Sequence, residues 1–188
     1  MTGVDLSPNS IAYAKQFEND SLHFDVHDMT KPFHKTFDAV FNLFTSFGYF
    51  ENEEDNLNTI KAIKTNLKTY GFGVIDFMNS EFIINHLVVE NTKTVDGITF
   101  TLKRHVENGY IVKDISFRAD NEAYNFQERV RGFTLEEFKM LFGNGMVTVT
   151  EVKISPDLSV ARCYLSFLLI DDLVDTGKTA AAVRTMVP

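Results

Sequence analysis

The sequence predicts a three-layer α/β domain, a parallel sheet covered by helices on both faces, followed by a smaller antiparallel sheet. Three observations carry this prediction. The first thirty residues read as a strand, an acidic residue and a helix. Two later runs, FDAVFNLF and GFGVIDFMN, are apolar almost without interruption, as strands buried on both faces are. From about Thr92 polar and apolar residues alternate across two strong turn signals, as in antiparallel hairpins.

Taken in order, a short β-run closes on Asp5, and Ser7-Pro8 then supplies an N-cap and a first helical residue. LHFDVHD alternates as a strand ending at Asp28. FDAVFNLF follows as a strand, with TSFGYF as the loop at its carboxyl end. From Asn52 to Lys68, Leu57, Ile60, Ile63 and Leu67 recur at helical spacing. Glu53, Glu54 and Asp55 stand early and lysines late, as the helix dipole favours. GFGVIDFMN is a further strand with a polar tip, and this βα rhythm implies a parallel sheet. Between about 93 and 131, Asp96-Gly97 and Asn108-Gly109 punctuate three or four antiparallel strands, read as a lid. Thr134 caps the helix TLEEFKMLF with capping-box spacing to Glu137. MVTVTEVKI and VARCYLSFLLI form a terminal strand pair, and DDLVDTGKTAAAVRTMVP reads as an acidic strand end, a glycine turn and a helix.

At 188 residues the chain suits one domain, 1–188, with a substantial core. A hydrophobic share of 44% argues against disorder, and phenylalanine is unusually common, at 18. The net charge of −8 argues against nucleic-acid partners, which require a clustered basic surface. Cys163 stands alone, which excludes an internal disulfide or a cysteine-rich zinc site and points to a reducing compartment. No apolar run approaches the roughly 18 residues of a membrane span, and Met1 leads into a strand without a signal peptide. A cytoplasmic protein with no membrane partner is expected. His23, His27, His34, His86 and His105 show no metal-ligand spacing with carboxylates, so no metal is expected. Phe41, Phe44 and Phe47 read first as core, and Tyr49 as a residue whose hydroxyl needs a polar partner if buried.

Asp5, Asp28 and the segment from Asn42 to Phe50 sit at carboxyl ends of successive strands, where open α/β sheets bind ligands. Across VDLSPNSIAYAK, FDVHDM, FDAVFNLFTSFGYF, GFGVIDFMN and ERVRGFTLEEF, residues 1 to about 142 resemble the class I S-adenosylmethionine-dependent methyltransferases. The resemblance implies a Rossmann-like sheet lacking its first strand and the glycine-rich loop that follows it. It implies S-adenosylmethionine as cofactor and a small-molecule methyl acceptor. Asp5, beside Leu6, would take the ribose hydroxyls. Asp28 would accept from the adenine amino group with Met29 against the base, and Asn42 and Leu43 would line the methionine end. Ser46, Phe47 and Tyr49 would face the acceptor. The two glycine pairs, Gly71-Phe72-Gly73 and Gly143-Asn144-Gly145, lie in the wrong context for the missing loop. Loss of a central strand would leave two open edges through which a homodimer could form.

The chain's end resembles other families. Residues from about 146 to 168 resemble a strand-turn-strand of ribosome-binding factor A. Those from about 168 to 187 resemble the phosphoribosyl-pyrophosphate loop of phosphoribosyltransferases, which would assign Asp171 and Asp172 to ribose hydroxyls and Thr176, Gly177, Lys178 and Thr179 to a phosphate. A glycine turn opening a helix offers backbone N–H groups to an anion. Three resemblances in one chain read as a mosaic, so two alternatives stand beside methyl transfer: a non-catalytic chimeric scaffold, and a phosphate binder using the DTGKT turn. The hairpin 146–170 is expected at the terminal position of the sheet; a bolder alternative places 163–187 in the vacant first-strand slot.

Overall fold

The computed structural model describes residues 1–145, together with the backbone of two later strands, 148–154 and 162–168. The chain opens with β1 (Thr2–Asp5), α1 (Pro8–Ala14), a single 3-10 turn (Lys15–Phe17) and β2 (His23–Val26). Then come β3 (Phe37–Asn42), α2 (Glu53–Asn66), β4 (Leu67–Met78) and α3 (Ser80–Asn85). The accessory strands are β5 (Glu90–Val95), β6 (Ile98–Glu107), β7 (Tyr110–Ala119) and β8 (Glu122–Arg131); α4 (Leu135–Asn144), β9 (Thr148–Ile154) and β10 (Arg162–Leu168) close the order.

Local chemistry accounts for most of these boundaries. Ser7 caps α1 by accepting from Ser10 N–H at 3.2 Å, with Pro8 in the first turn. Thr134 and Glu137 complete a reciprocal capping box on α4, at 3.2 and 2.8 Å. Asp96-Gly97 and Asn108-Gly109 both adopt two successive positive φ angles, the geometry that closes two-residue hairpins. A third such turn, Asp120-Asn121, uses no glycine; Asp and Asn tolerate this conformation better than other side chains. The accessory sheet thus has four strands in sequential antiparallel order and begins at Glu90, slightly ahead of the expected boundary. α3 was not foreseen: the polar tip of β4, Asn79, is its cap and accepts from Phe82 N–H at 3.1 Å.

β1 and β2 pair in parallel as a small sheet of their own, and β3 pairs in parallel with β4. β10 runs antiparallel along the other edge of β4, from Met78 to Phe72, with β9 outside it. The terminal hairpin therefore occupies the end of the sheet. A strand flanking β4 on the side away from β3 cannot also stand beside β1, so the first-strand substitution is overturned. Among the described residues β1 pairs with β2 alone and β3 with β4 alone, which leaves one open edge on each. Val4 and Phe41 are correspondingly 44% and 57% exposed.

The core lies between β4, α2 and α4. Phe47, Phe77, Phe133, Phe138 and Phe142 pack with Ile60 and Ile75. Ring centroids stand 5.0 Å apart for Phe77–Phe138 and 5.7 Å for both Phe47–Phe133 and Phe47–Phe138, within the range where aromatic pairs add to simple area burial. Each fully buried ring contributes on the order of 1.5–3 kcal/mol. No helix among the described residues is long and apolar enough to cross a membrane.

Candidate functional site

The site forms where strand ends meet. Asp5 is the register partner of Val26, and the His27 N–H donates to the Asp5 carbonyl at 3.0 Å, so Asp28 follows directly on a strand held beside Asp5. The two carboxylates share one edge of the sheet. Asp5 accepts from Ser7 N–H at 2.7 Å through Oδ1 and is otherwise open to solvent. Asp28 is more constrained. Its Oδ1 accepts from the Thr30 hydroxyl at 2.7 Å and the Thr30 N–H at 3.0 Å, and its Oδ2 pairs with Lys31 Nζ at 3.0 Å. The Thr30 hydroxyl, then the Thr30 N–H and Lys31, favour the ionised form and hold the Asp28 carboxyl at about 2.

This turn reaches β3. Asn42 Nδ2 lies 3.5 Å from Met29 Sδ, and the Asn66 amide at the end of α2 clamps the intervening segment. It accepts from Phe33 N–H at 2.8 Å and donates to the carbonyls of Phe33 at 2.8 Å and Lys35 at 2.6 Å. Asp5, Asp28, Met29 and Asn42 are thus gathered at one edge, with Leu6 (69% exposed) and Leu43 (40% exposed) beside them.

Beyond Asn42 the chain turns sharply. Phe44 and Thr45 both have positive φ, 59° and 54°, which is costly for a phenylalanine and more so for a β-branched threonine. Asp76 on β4 receives this corner: its Oδ2 accepts from Phe44 N–H at 3.0 Å and its carbonyl from Thr45 N–H at 3.1 Å. Ser46 folds its hydroxyl back to the Leu43 carbonyl at 2.8 Å. Gly48 has φ +89°, and a Cβ there would meet Phe77 at 3.3 Å; its carbonyl accepts from Arg131 N–H at 2.8 Å, which fastens the loop to the end of β8. Tyr49 is half-buried; desolvation first, and the charge of Glu128 on the accessory sheet second, push its hydroxyl pKa up, so the phenol stays protonated.

The phenylalanines divide. Phe47 is fully buried in the ring cluster, which bears out its reading as core; the resemblance's assignment of it to the acceptor falls, because it has no surface to offer a ligand. Phe41 and Phe44, read as core, are 57% and 76% exposed, because β3 is an edge strand and the corner turns Phe44 outward. Asp76 was not singled out, although an acidic residue inside an otherwise apolar strand was the available signal. Of the two glycine pairs, Gly71 and Gly73 lie within β4, and Gly143 and Gly145 at the end of α4. Among the described residues no three His, Cys, Asp or Glu gather as a metal site. Asp171, Asp172, Thr176, Gly177, Lys178 and Thr179 lie outside the described residues.

Residues 1–75 match the family model described as a methyltransferase domain. Among solved structures, an S-adenosylmethionine-dependent methyltransferase from Clostridium acetobutylicum superposes with a TM-score of 0.74 at 17% identity, over 89% of this chain and 74% of that one. The amino pentose methyltransferase CalS10 of Micromonospora echinaspora, solved with S-adenosylmethionine bound, gives 0.67 at 16% identity, over 90% and 73%. This is a class I methyltransferase fold. The sugar N-methyltransferase KedS8 from a Streptoalloteichus species shares it with a TM-score of 0.65 at 18% identity, over 89% and 70%. One curated sequence, ribosome-binding factor A of Cytophaga hutchinsonii, is 53% identical over 38 residues, a fifth (20%) of this chain and 29% of that protein. That short match carries no fold or function for the whole.

Proposed function

We propose that the chain is an S-adenosylmethionine-dependent methyltransferase acting on a small-molecule acceptor. The observation that carries the reading is the convergence of two carboxylates, Asp5 and Asp28, and the Asn42 amide at the ends of parallel strands. Exposed Asp5 is an acceptor-only group suited to a ribose diol, and Asp28 with Met29 offers an acceptor and a soft apolar contact to a purine. The described residues fit the adenosyl end; a glycine-rich turn for the methionine end is not among them.

The cofactor supplies a methyl group on a sulfonium, already poised for displacement. What the protein must add is mainly position, because holding a nucleophile in line and near contact removes much of the barrier. In this reading Asn42 and Leu43 line the floor beside the reacting centre. Ser46 and the protonated Tyr49 orient the acceptor, and the accessory sheet, attached through Arg131 to Gly48, roofs that side. Phe47 acts from beneath by fixing the loop. The structural neighbours named for amino sugars support a small polar acceptor for this chain too. The homodimer reading goes with the open edges of β1 and β3, where exposed Val4 and Phe41 would be covered by a second copy.

Calorimetric titration tests the reading. S-adenosylhomocysteine is expected to bind, and Asp5→Ala to weaken binding by about tenfold or more, the loss of a charge-assisted hydrogen-bond pair. Binding that is unchanged in Asp5→Ala, or absent from the unmodified chain, overturns it. Heat on addition of phosphoribosyl pyrophosphate alone would favour the phosphate-binding alternative, and silence with both ligands the scaffold.

A further inference from the structure

We propose that Asp76 is a positioning residue that sets the corner after β3, and through it the Asn42–Leu43 floor of the cofactor site. This rests on the methyltransferase reading above. Asp76 is 3% exposed, between the fully buried Ile75 and Phe77. A carboxylate in such a place is costly, and its Oδ1 is buried with no partner among the described residues. The expense has a visible return. Asn42 opposite Ile75 is the last register pair of β3 with β4, and one residue beyond it the chain takes two successive left-handed residues that only an outside constraint keeps in place. The Phe44 and Thr45 amides of that corner are held by the same residue, one through its side chain and one through its carbonyl. Ser46, whose hydroxyl donates to the Leu43 carbonyl at 2.8 Å with the Asn42 amide oxygen 3.3 Å away, passes the constraint back to the floor. An apolar residue at 76 would suit the surrounding core better and would release the corner.

The proposal makes the hydrogen-bond acceptor the essential property. Asp76→Asn keeps an oxygen for the Phe44 N–H; Asp76→Ala does not. In the full chain, amide hydrogen exchange at Phe44, which loses its side-chain acceptor, is expected to accelerate by about tenfold or more in Asp76→Ala, with α2 amides unchanged, and S-adenosylhomocysteine affinity to fall by about tenfold. Asp76→Asn should stay within about threefold of the parent on both. Thr45→Gly placed in the Asp76→Ala background should recover most of the affinity, because glycine takes positive φ without strain and the corner re-forms unaided. If Asp76→Ala does not fold, Asp76→Asn still decides. Unprotected corner amides or lost affinity in Asp76→Asn overturn the proposal, as do unchanged exchange in Asp76→Ala or no recovery in the double variant. An unmodified chain that binds no S-adenosylhomocysteine refutes the methyltransferase reading instead, while the exchange measurements still judge the corner.

Discussion

The two halves of the candidate site are built by different means. In the half made of β1, α1 and β2, Ile11 is the only buried residue among the first 46, while Leu6, Tyr13 and Phe17 are more than half exposed. The half made of β3, β4, α2 and α4 holds the phenylalanine cluster. Asp5 and Asp28 are therefore fixed by hydrogen bonds of their own turns, whereas the loop carrying Ser46 and Tyr49 is fixed by packing through Phe47. Hydrogen bonds at the surface contribute little net stability each, and buried rings contribute much. The nucleotide-facing half is thus the softer one, joined to the firm half chiefly through Asn66 and Met29–Asn42.

Four tests break or sharpen this contrast. The largest effect is expected for Phe47→Ala, which should cost about 3–5 kcal/mol in denaturant unfolding, against roughly 0.5 kcal/mol or less for Tyr13→Ala in the soft half. Equal losses would show that the halves are equally packed. Next, Asn66→Ala strands two carbonyls and one N–H of the Phe33–Lys35 segment; about 1–3 kcal/mol is expected, together with faster amide exchange at Phe33. Thr134→Ala, confined to the firm half, removes one arm of the capping box and should lower stability by about 1 kcal/mol without altering the Asp5–Asp28 turns in NMR spectra.

The smallest effect concerns pH. The folded Asp28 carboxyl, at about 2, lies below its ordinary value of 3.8, so ionisation favours the folded turn. Its contribution is complete above about pH 4 and is lost as pH falls through about 2. The group is exposed enough for solvent to screen it, so about 1 kcal/mol or less is expected. Asp28→Asn should abolish that part of the acid dependence, and an identical acid profile in the variant would show that the turn adds nothing.

Much of this molecule is written locally. Periodicity marks α2, the Thr134–Glu137 spacing marks the start of α4, and Asp96-Gly97 and Asn108-Gly109 mark two hairpins, because each depends on residues within a few positions of one another. The strand-end carboxylates were legible for the same reason: a strand, an acid and a cap follow in order. The short α3 was not, since six residues carry too little pattern to separate it from a strand end. Nor was the turn at Asp120-Asn121, where the glycine that marks the other two hairpin turns is missing.

By itself the sequence determined the order of the longer elements, the antiparallel character of the accessory sheet and the identity of the polar residues at the first strand ends. Only the tertiary structure decided that Phe47 is interior while Phe41 and Phe44 are not, that β10 flanks β4, and that Asp76 lies beneath the corner at Phe44. The physical reason is that the burial of these phenylalanines and the partner of the Asp76 carboxylate are set by segments tens of residues away. Phe44 and Asp76, 32 positions apart, close a contact that no local pattern announces.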